Sequence, residues 1–195
     1  SDDVILDRDR NIADDAKINW ISHSSKKKLV HIWRSQEPVI LVGRKTIVND
    51  NPKLNTREVE VTSPVRVVLS NSGKIPVDSN VLNDGKNTVI FNSTMTKKIG
   101  HAEWIKIEGD LIKNALKYLS ENEFSSILVE GGAQTLNAFI SKDLWDEARI
   151  IQSENRIGSG LKAPEIHSPH IPVPLKAKGH TEMYGQDLIT RLYRK

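Results

Sequence analysis

Short apolar runs alternate along this chain with segments in which apolar residues recur at helical spacing. The runs are four or five residues long, rich in β-branched side chains, and bounded by turn formers such as Asn83-Asp84-Gly85. That pattern is typical of buried strands. It predicts strands over residues 39–43, 66–69, 88–91, 104–107 and 126–130.

Between these runs, three segments place their apolar side chains on one side of a helix. In the first, Leu29, Ile32 and Trp33 share a face. The three predicted helices cover residues 25–34, 110–121 and 133–140. Strands that alternate with helices at this spacing indicate an α/β sheet with parallel strands. We therefore expect one α/β domain over residues 1–195.

Residues 163–195 follow a different pattern. Four prolines between residues 163 and 178 exclude both a helix and a central strand and predict a surface loop. A strand pair is then expected over residues 180–184 and 188–193, joined at Gly185-Gln186. Two closing antiparallel strands suit the edge of a mixed sheet.

Composition excludes several classes of protein. The chain has 195 residues and no cysteine, which removes disulfide frameworks, thiol nucleophiles and thiolate metal sites and fits a reducing, cytoplasmic setting. No apolar run approaches the roughly 20 residues that span a bilayer. The net charge of +3 and the 5% of aromatic residues argue against nucleic-acid binding.

The first candidate for chemistry is the junction after the strand at 126–130. Glu130 ends the strand, Gly131 and Gly132 follow, and a helix begins. Paired glycines let a ligand approach the backbone, and a helix N-terminus attracts a phosphate. The alternative is a tight strand–helix turn that needs glycine for its geometry alone.

A second candidate follows the strand at 39–43. Lys45, Thr46, Asp50 and Arg57 offer anion contacts and a partner for a ribose hydroxyl. On composition alone, a solvated loop in which Asn49-Asp50-Asn51-Pro52 makes turns is favoured.

The other polar features of the sequence point less clearly to a functional site. Ser22 fits an N-cap, the lysines at 26–28 fit a solvated helix face, and one of Trp33 and Arg34 is expected to point inward. The histidines at 167 and 170 are separated by Pro169, so we expect no metal site there. No Ser–His–acid pattern, Walker loop or GxGxxG occurs.

Taken in order, several short motifs resemble the reductase domain of the riboflavin-biosynthesis deaminase-reductases (RibD), which are similar in fold to dihydrofolate reductase. The resemblance runs from about Asp9 to the end. The matching motifs are Trp20-Ile21-Ser22, Trp33-Arg34, Val42-Gly43, Thr46, Asp50-Asn51-Pro52, Leu54, Arg57, residues 64–69, Val129-Glu130-Gly131-Gly132, Leu136, residues 144–147 and Gly158-Ser159-Gly160.

This resemblance implies a fold and an activity. The fold is a three-layer, mostly parallel mixed sheet with antiparallel C-terminal edge strands and helices on both faces. The activity is NADPH-dependent reduction of the ribosyl side chain of 5-amino-6-(5-phosphoribosylamino)uracil to the ribitylamino form. Family members are commonly dimers, and the apolar side chains in the proline-rich segment, Ile171, Val173 and Leu175, are expected at such an interface.

The resemblance also implies site residues. Arg34, Leu54, Arg57 and Glu130 match substrate positions, where the two arginines would hold the ribose phosphate. Asp50 and Glu130 are the candidate proton carriers, with water as the alternative. The cofactor positions are Trp20, Thr46, Asp50, Asn71, Gly131, Gly132, Ala133, Gln134, Thr135 and Leu136. Arg44, Lys45 and Lys74 are cations that suit the 2′-phosphate of NADPH.

Two departures keep alternatives open. The family's first strand carries a lysine and a glycine turn, whereas here Val4-Ile5-Leu6 has no lysine and Arg10 takes the glycine position. The zinc-deaminase motif is absent, so the chain is expected to be the reductase part alone. A related pyrimidine or pterin reductase, or a silent NADPH-binding module, stays possible, and the sequence does not tell whether the pyrimidine is deaminated.

Overall fold

The computed structural model describes the backbone of residues 2–6, 11–13, 24–56, 63–152, 161–162 and 179–194. Side chains are described from residue 28 onward within these ranges, apart from 161–162. The chain groups into two compact units, a middle unit of residues 30–128 and a terminal unit of residues 1–29 and 129–195. The expectation of a single domain over residues 1–195 stays a prediction.

The elements follow in chain order. They are β1 (Asp2–Leu6), β2 (Asn11–Ala13), α1 (Ser24–Gln36), β3 (Val39–Gly43), α2 (Arg44–Asp50), β4 (Val65–Leu69), α3 (Asn80–Asn83), β5 (Thr88–Asn92), β6 (Lys97–Ile99), β7 (Ala102–Lys106), α4 (Leu111–Glu121), β8 (Leu128–Glu130), α5 (Ala133–Ser141), β9 (Glu147–Gln152), β10 (Leu161–Lys162), β11 (Gly179–Tyr184) and β12 (Asp187–Tyr193).

The sheet of the middle unit is parallel except at one edge. β3, β4, β5 and β7 pair in that order, with Leu41 opposite Val67 and Val67 opposite Val89. The edge strand β6 runs antiparallel to β7. All three residues of β6 are exposed, which suits an edge strand that carries two lysines.

Helices cover both faces of this sheet. Because side chains alternate along a strand, one face carries Ile40, Val42, Val68, Ile90 and Trp104, which form a core with Ile47, Leu54 and Val81. On the other face, Phe91 meets Tyr118 of α4 edge to face, with ring centroids 5.4 Å apart. Each such buried side chain contributes about 1.5–3 kcal/mol.

The stretch after β3, which composition favours as a loop, is the helix α2. Gly43 precedes it in an extended conformation, and Asn51 ends it with a left-handed backbone (φ 40°) whose N–H donates to the Ile47 carbonyl. Ile47 is the buried residue of this helix. The expectation of a solvated loop here was therefore wrong. The reason is that one buried position in seven residues gives no apolar period from which a helix could be predicted.

In the terminal unit, β8, β1 and β9 are parallel neighbours, with Asp2 opposite both Val129 and Ala148. β12 pairs antiparallel with β9, and β11 pairs antiparallel with β12. The turn between β11 and β12 uses Gly185 at φ 65°. The expected strand pair is therefore confirmed, as is a mostly parallel mixed sheet with antiparallel edge strands.

Most predicted elements agree with the structure within two or three residues. α4 begins as expected after Asp110, whose carboxylate accepts from the N–H groups of Ile112 and Lys113. Trp33 is the inward member of its pair, at 1% exposure. Ser22 and the proline-rich segment of residues 163–178 lie outside the described residues. Within the described part, no helix is both long enough and apolar enough to cross a membrane.

Candidate functional site

Polar residues meet where the parallel strands of the middle unit end. In open α/β sheets, ligands bind outside the carboxyl ends of the strands. α2 follows the end of β3, and Asn71 lies two residues beyond the end of β4. The Asn71 carbonyl accepts from the Ser93 N–H at 3.1 Å, which fixes Asn71 beside the segment that follows β5. Its side chain is exposed and open to a ligand.

The turn after Asn71 is held from two sides. Gly73 adopts φ 65°, and its carbonyl accepts from the Trp104 indole at 2.7 Å. One residue on, the Lys74 carbonyl accepts from Arg44 Nε at 2.7 Å. These bonds tie the turn to β7 and to the first residue of α2.

Asn92, at the end of β5, shapes the neighbouring turn. Its side-chain oxygen accepts from both N–H and hydroxyl of Thr94 and from the N–H of Met95, at 2.8–3.0 Å. Its amide nitrogen donates to the carbonyls of Met95 and Ile105. Because Asn92 is fully buried and bonded on both ends, its role is to support this edge of the sheet.

Thr46 and Asp50 lie four residues apart on α2 and so share one face of the helix. Asp50 lies at the exposed end of α2, yet the protein around its carboxyl group removes part of its hydration. This desolvation raises the pKa of Asp50 above its usual range. A carboxyl with a raised pKa suits a proton carrier better than an ordinary aspartate does.

Residues 51–56 form a segment in an unusual backbone conformation. Leu54 has φ 50°, a left-handed value that is costly for a leucine, and its side chain is buried in the core at 2% exposure. The next carbonyl, that of Asn55, accepts from Arg34 Nη1 at 3.4 Å. Two expected substrate residues, Arg34 and Leu54, are thus joined through one stretch of backbone.

A buried arginine that sequence reasoning did not single out supports the same segment. Arg66, 1% exposed on β4, forms two hydrogen bonds with the Asp84 carboxylate, at 2.6 and 2.8 Å, and donates to the Lys53 carbonyl at 3.1 Å. The sequence signal was a single arginine inside an otherwise continuous apolar strand. Its partner, nearly twenty residues away, has no sequence signal.

The terminal unit holds the second expected region. Glu130 ends β8, and Gly132 is the N-cap of α5, with an extended backbone at φ −66° and ψ 162°. A Cβ at Gly132 would meet no described atom within 4 Å, and the first turn of α5 has no acidic residue. An open approach, a helix dipole and a first turn without acidic residues fit an anionic group such as a cofactor phosphate.

The structure leaves the remaining expected roles as predictions. Leu136, like Leu54, has a buried side chain, which leaves the main chain for ligand contacts. Gln134 is exposed and Thr135 is partly buried at the start of α5. Trp20 and Arg57 lie outside the described residues.

The chain is similar to a known protein family and to several curated proteins. The family model described as "RibD C-terminal domain" matches residues 10–189, which includes parts of both compact units. Riboflavin biosynthesis protein RibD of Aquifex aeolicus is 32% identical over 181 residues, covering 87% of this chain and 50% of that protein. The chain thus spans about half the length of this relative.

A second curated relative and a solved structure are also similar to this chain. The 2,5-diamino-6-ribosylamino-4(3H)-pyrimidinone 5′-phosphate reductase of Aquifex aeolicus is 31% identical over 149 residues, covering 71% of this chain and 66% of that protein. The crystal structure of a diaminohydroxyphosphoribosylaminopyrimidine deaminase/5-amino-6-(5-phosphoribosylamino)uracil reductase from Thermotoga maritima matches with a TM-score of 0.84 and 26% identity. It covers the whole of this chain and 56% of that one.

Proposed function

The chain belongs to the RibD C-terminal domain family, and from that membership we propose that it reduces a ribosylamino pyrimidine phosphate in riboflavin biosynthesis. The substrate we propose is 5-amino-6-(5-phosphoribosylamino)uracil, whose ribosyl side chain becomes ribitylamino. The observation that carries this proposal is the family match over residues 10–189, which includes Thr46, Asp50, Leu54, Arg57 and the turn from Glu130 to Leu136.

We propose NADPH as the reductant. Bound, its nicotinamide supplies the hydride, and the chain binds and orients the two reactants. The first turn of α5 would receive a cofactor phosphate, since a Cβ at Gly132 would meet no described atom within 4 Å and this turn carries no acidic residue. Thr46, Asp50, Asn71 and Trp20 would contact the rest of the cofactor. Residues from Gly131 to Leu136 would do so through their main chain and the side chains of Gln134 and Thr135.

The substrate is assigned to the segment after α2. Arg34 and Arg57 would hold the phosphate, because arginine offers two parallel N–H donors to it. Arg34 already donates to the Asn55 carbonyl, so a phosphate on Arg34 would lie against this segment. Asp50, with its raised pKa, and Glu130 are the residues proposed to carry the proton that opening of the sugar ring requires.

A second substrate is favoured by one relative. The Aquifex reductase that is 31% identical bears the name of the 2,5-diamino pyrimidinone, which differs from the uracil by an amino group in place of a carbonyl. We therefore include this aminated pyrimidine as the alternative substrate of the same reaction. A related pyrimidine or pterin reductase and a silent NADPH-binding module are the further alternatives.

The proposal extends to the state of the protein. On the resemblance, we propose that residues 1–195 act as one reductase domain, as a homodimer in the cytoplasm, without nucleic acid as a partner. The proline-rich segment of residues 163–178 is the proposed dimer interface. A monomeric mass by light scattering would contradict the dimer.

The testing experiment compares the two pyrimidines. Purified protein is mixed with NADPH and either compound, and the ribitylamino product is identified by mass spectrometry. Product from the uracil at the higher kcat/KM supports the proposed substrate, and the reverse order supports the aminated one. Arg57→Ala should raise KM strongly for both compounds, whereas the exposed control Lys98→Ala should not.

A further inference from the structure

The segment of residues 51–56 is fixed to the middle unit at nearly every residue. Asn80 donates to Asn51 twice, from its N–H to the side-chain oxygen at 2.7 Å and from its side chain to the carbonyl at 2.6 Å. At the other end, the Thr56 and Ser63 hydroxyls lie 3.1 Å apart, and Lys86 donates to the same Ser63 hydroxyl. Between these ends, Leu54 is in the core.

Arg66 provides the central tether. Its Nη1 atom donates both to Asp84 and to the carbonyl of Lys53, the residue just before the left-handed Leu54. Its Nη2 atom donates to the other Asp84 oxygen and to the Lys86 carbonyl at 2.7 Å. One guanidinium thus spans the segment, the end of α3 and the strand β4.

Charge and burial show why this position takes an arginine. Arg66 is 1% exposed, and such a charge is tolerated only when it is paired and hydrogen-bonded. Because Asp84 pairs with the charge, the remaining N–H groups of the Arg66 guanidinium can donate to main-chain carbonyls. A lysine ammonium has no planar fork and cannot reproduce that reach to Asp84 and Lys53 together.

We propose that Arg66, held by Asp84, is a positioning residue for the substrate. It fixes the main chain at Lys53 and Leu54 and thereby sets where the Leu54 main chain meets the ribosyl phosphate. The inference rests on the proposed function, in which this segment binds substrate. Arg66 itself is buried and acts only through the segment.

The test removes the tether without leaving a buried charge. Arg66→Met combined with Asp84→Leu replaces the pair by apolar side chains, an exchange that buried ion pairs often tolerate. KM for the phosphorylated substrate is expected to rise at least about tenfold, with a much smaller change in kcat. Hydrogen exchange of the peptide covering residues 51–56 is expected to accelerate. Arg66→Lys keeps the charge, so its KM and its exchange rate should lie between those of the unsubstituted protein and those of the double variant.

A matched control comes from the terminal unit. Arg149 and Glu147 form a pair of similar burial, with side chains 8% and 20% exposed against 1% and 20% for Arg66 and Asp84. Arg149→Met with Glu147→Leu removes a comparable pair on β9 of the terminal unit. It should leave the exchange of residues 51–56 and the KM unchanged.

The outcomes separate the two claims. Unchanged exchange and unchanged KM in the Arg66/Asp84 double variant would overturn the positioning role. Faster exchange with an unchanged KM would also overturn it, because the tether would then serve the fold alone. If the unsubstituted protein reduces neither pyrimidine, the proposed function fails, and the exchange of residues 51–56 decides the tether by itself.

Discussion

Arg44 donates a hydrogen bond of 2.7 Å from Nε to the main-chain carbonyl of Lys74. The bond joins the first residue of α2, at the end of β3, to the turn that follows β4. Two of the three cations that the sequence offers for a 2′-phosphate therefore belong to one hydrogen-bonded unit at the carboxyl edge of the sheet. This edge is where open α/β sheets bind their ligands.

That relationship predicts the cofactor preference. If Arg44 and Lys74 bind the 2′-phosphate, Arg44→Ala with Lys74→Ala should lower the preference for NADPH over NADH by about tenfold or more, since hydrogen bonds to charged groups contribute about 1.5–3 kcal/mol. Steady-state kinetics with both cofactors measure the ratio. Lys98→Ala, an exposed lysine on β6, is the control. An unchanged ratio would move the 2′-phosphate elsewhere.

The N-terminus of α5 predicts a substitution that separates stability from binding. Gly132→Asp introduces a favoured N-cap residue where a Cβ would meet no described atom within 4 Å, so the melting temperature should stay the same or rise slightly. Its negative charge should repel a cofactor phosphate and weaken NADPH binding. Gly132→Asn caps the helix without charge and should bind NADPH more tightly than Gly132→Asp. Equal affinities would argue against a phosphate at this turn.

The ionised carboxylate of Asp50 should destabilise the folded protein. Since desolvation raises its pKa in the folded protein, the ionised form disfavours folding once the pH passes the ordinary value of 3.8 and reaches the raised one. Asp50→Asn should therefore raise the melting temperature near pH 7 and give no gain near pH 3. It should lower kcat/KM by about a hundredfold if the carboxyl carries the proton.

The control for Asp50 is Asp78→Asn, an exposed aspartate in the same unit. It should leave kcat/KM near that of the unsubstituted protein. A loss of stability in Asp50→Asn at neutral pH would contradict the desolvation argument.

Asp84 should behave in the opposite way. Burial acts to raise its pKa, but the hydrogen bonds and charge of Arg66, with the Lys86 N–H, outweigh this and lower it. A lowered pKa adds stability that is present above the ordinary value of 3.8 and is lost as the pH falls through the lower folded value. Asp84→Asn leaves Arg66 unpaired and should cost about 3 kcal/mol at neutral pH, which corresponds to about 6–12 °C in melting temperature.

The same argument fixes the sign at low pH. The difference between Asp84→Asn and the unsubstituted protein should shrink as the pH falls below the ordinary aspartate value, because protonated Asp84 no longer pairs with Arg66. Thermal unfolding at a series of pH values measures it. A difference that is independent of pH would contradict the ion pair as its source.

The turn after Asn71 contains Gly73, and Gly85 serves as its control. Gly73 and Gly85 both have positive φ, at 65° and 72°. A Cβ at Gly73 would lie 3.2 Å from the Asn92 side chain, whereas at Gly85 it would meet no atom of the described residues within 4 Å. Gly85→Ala should cost about 1–2 kcal/mol from the backbone alone, and Gly73→Ala should cost more. Equal losses in chemical denaturation would show that the turn yields.

The sequence predicted β3, β4, β5, β7, β8, the closing strand pair and the three longer helices, because their apolar patterns are long enough to read. It did not predict β9, in which Glu147 and Arg149 interrupt the apolar residues. It missed α2 because a helix with one buried residue, Ile47, and a run of turn-forming residues at its end has no helical period. The four-residue helix α3 and the exposed edge strand β6 were not predicted for the same reason, since neither has an apolar period.

The site was predicted in part. The residues of the turn after β8 and those of α2 came from motifs in sequence order. By contrast, the tether of Arg66 to Lys53 and Asp84 depends on the register of β4 and on the fold of α3, and neither is visible in single residues. Leu54 shows the limit of motif matching, since its side chain belongs to the core and only its main chain stays available.

The most direct test of the central claim is the absorbance of reduced nicotinamide in the presence of purified protein and 5-amino-6-(5-phosphoribosylamino)uracil. The account predicts that the absorbance falls with NADPH in step with the ribitylamino product, faster than with NADH, and that Arg57→Ala largely abolishes the fall. Binding of NADPH, seen by tryptophan fluorescence, without oxidation in the presence of either pyrimidine would contradict the account.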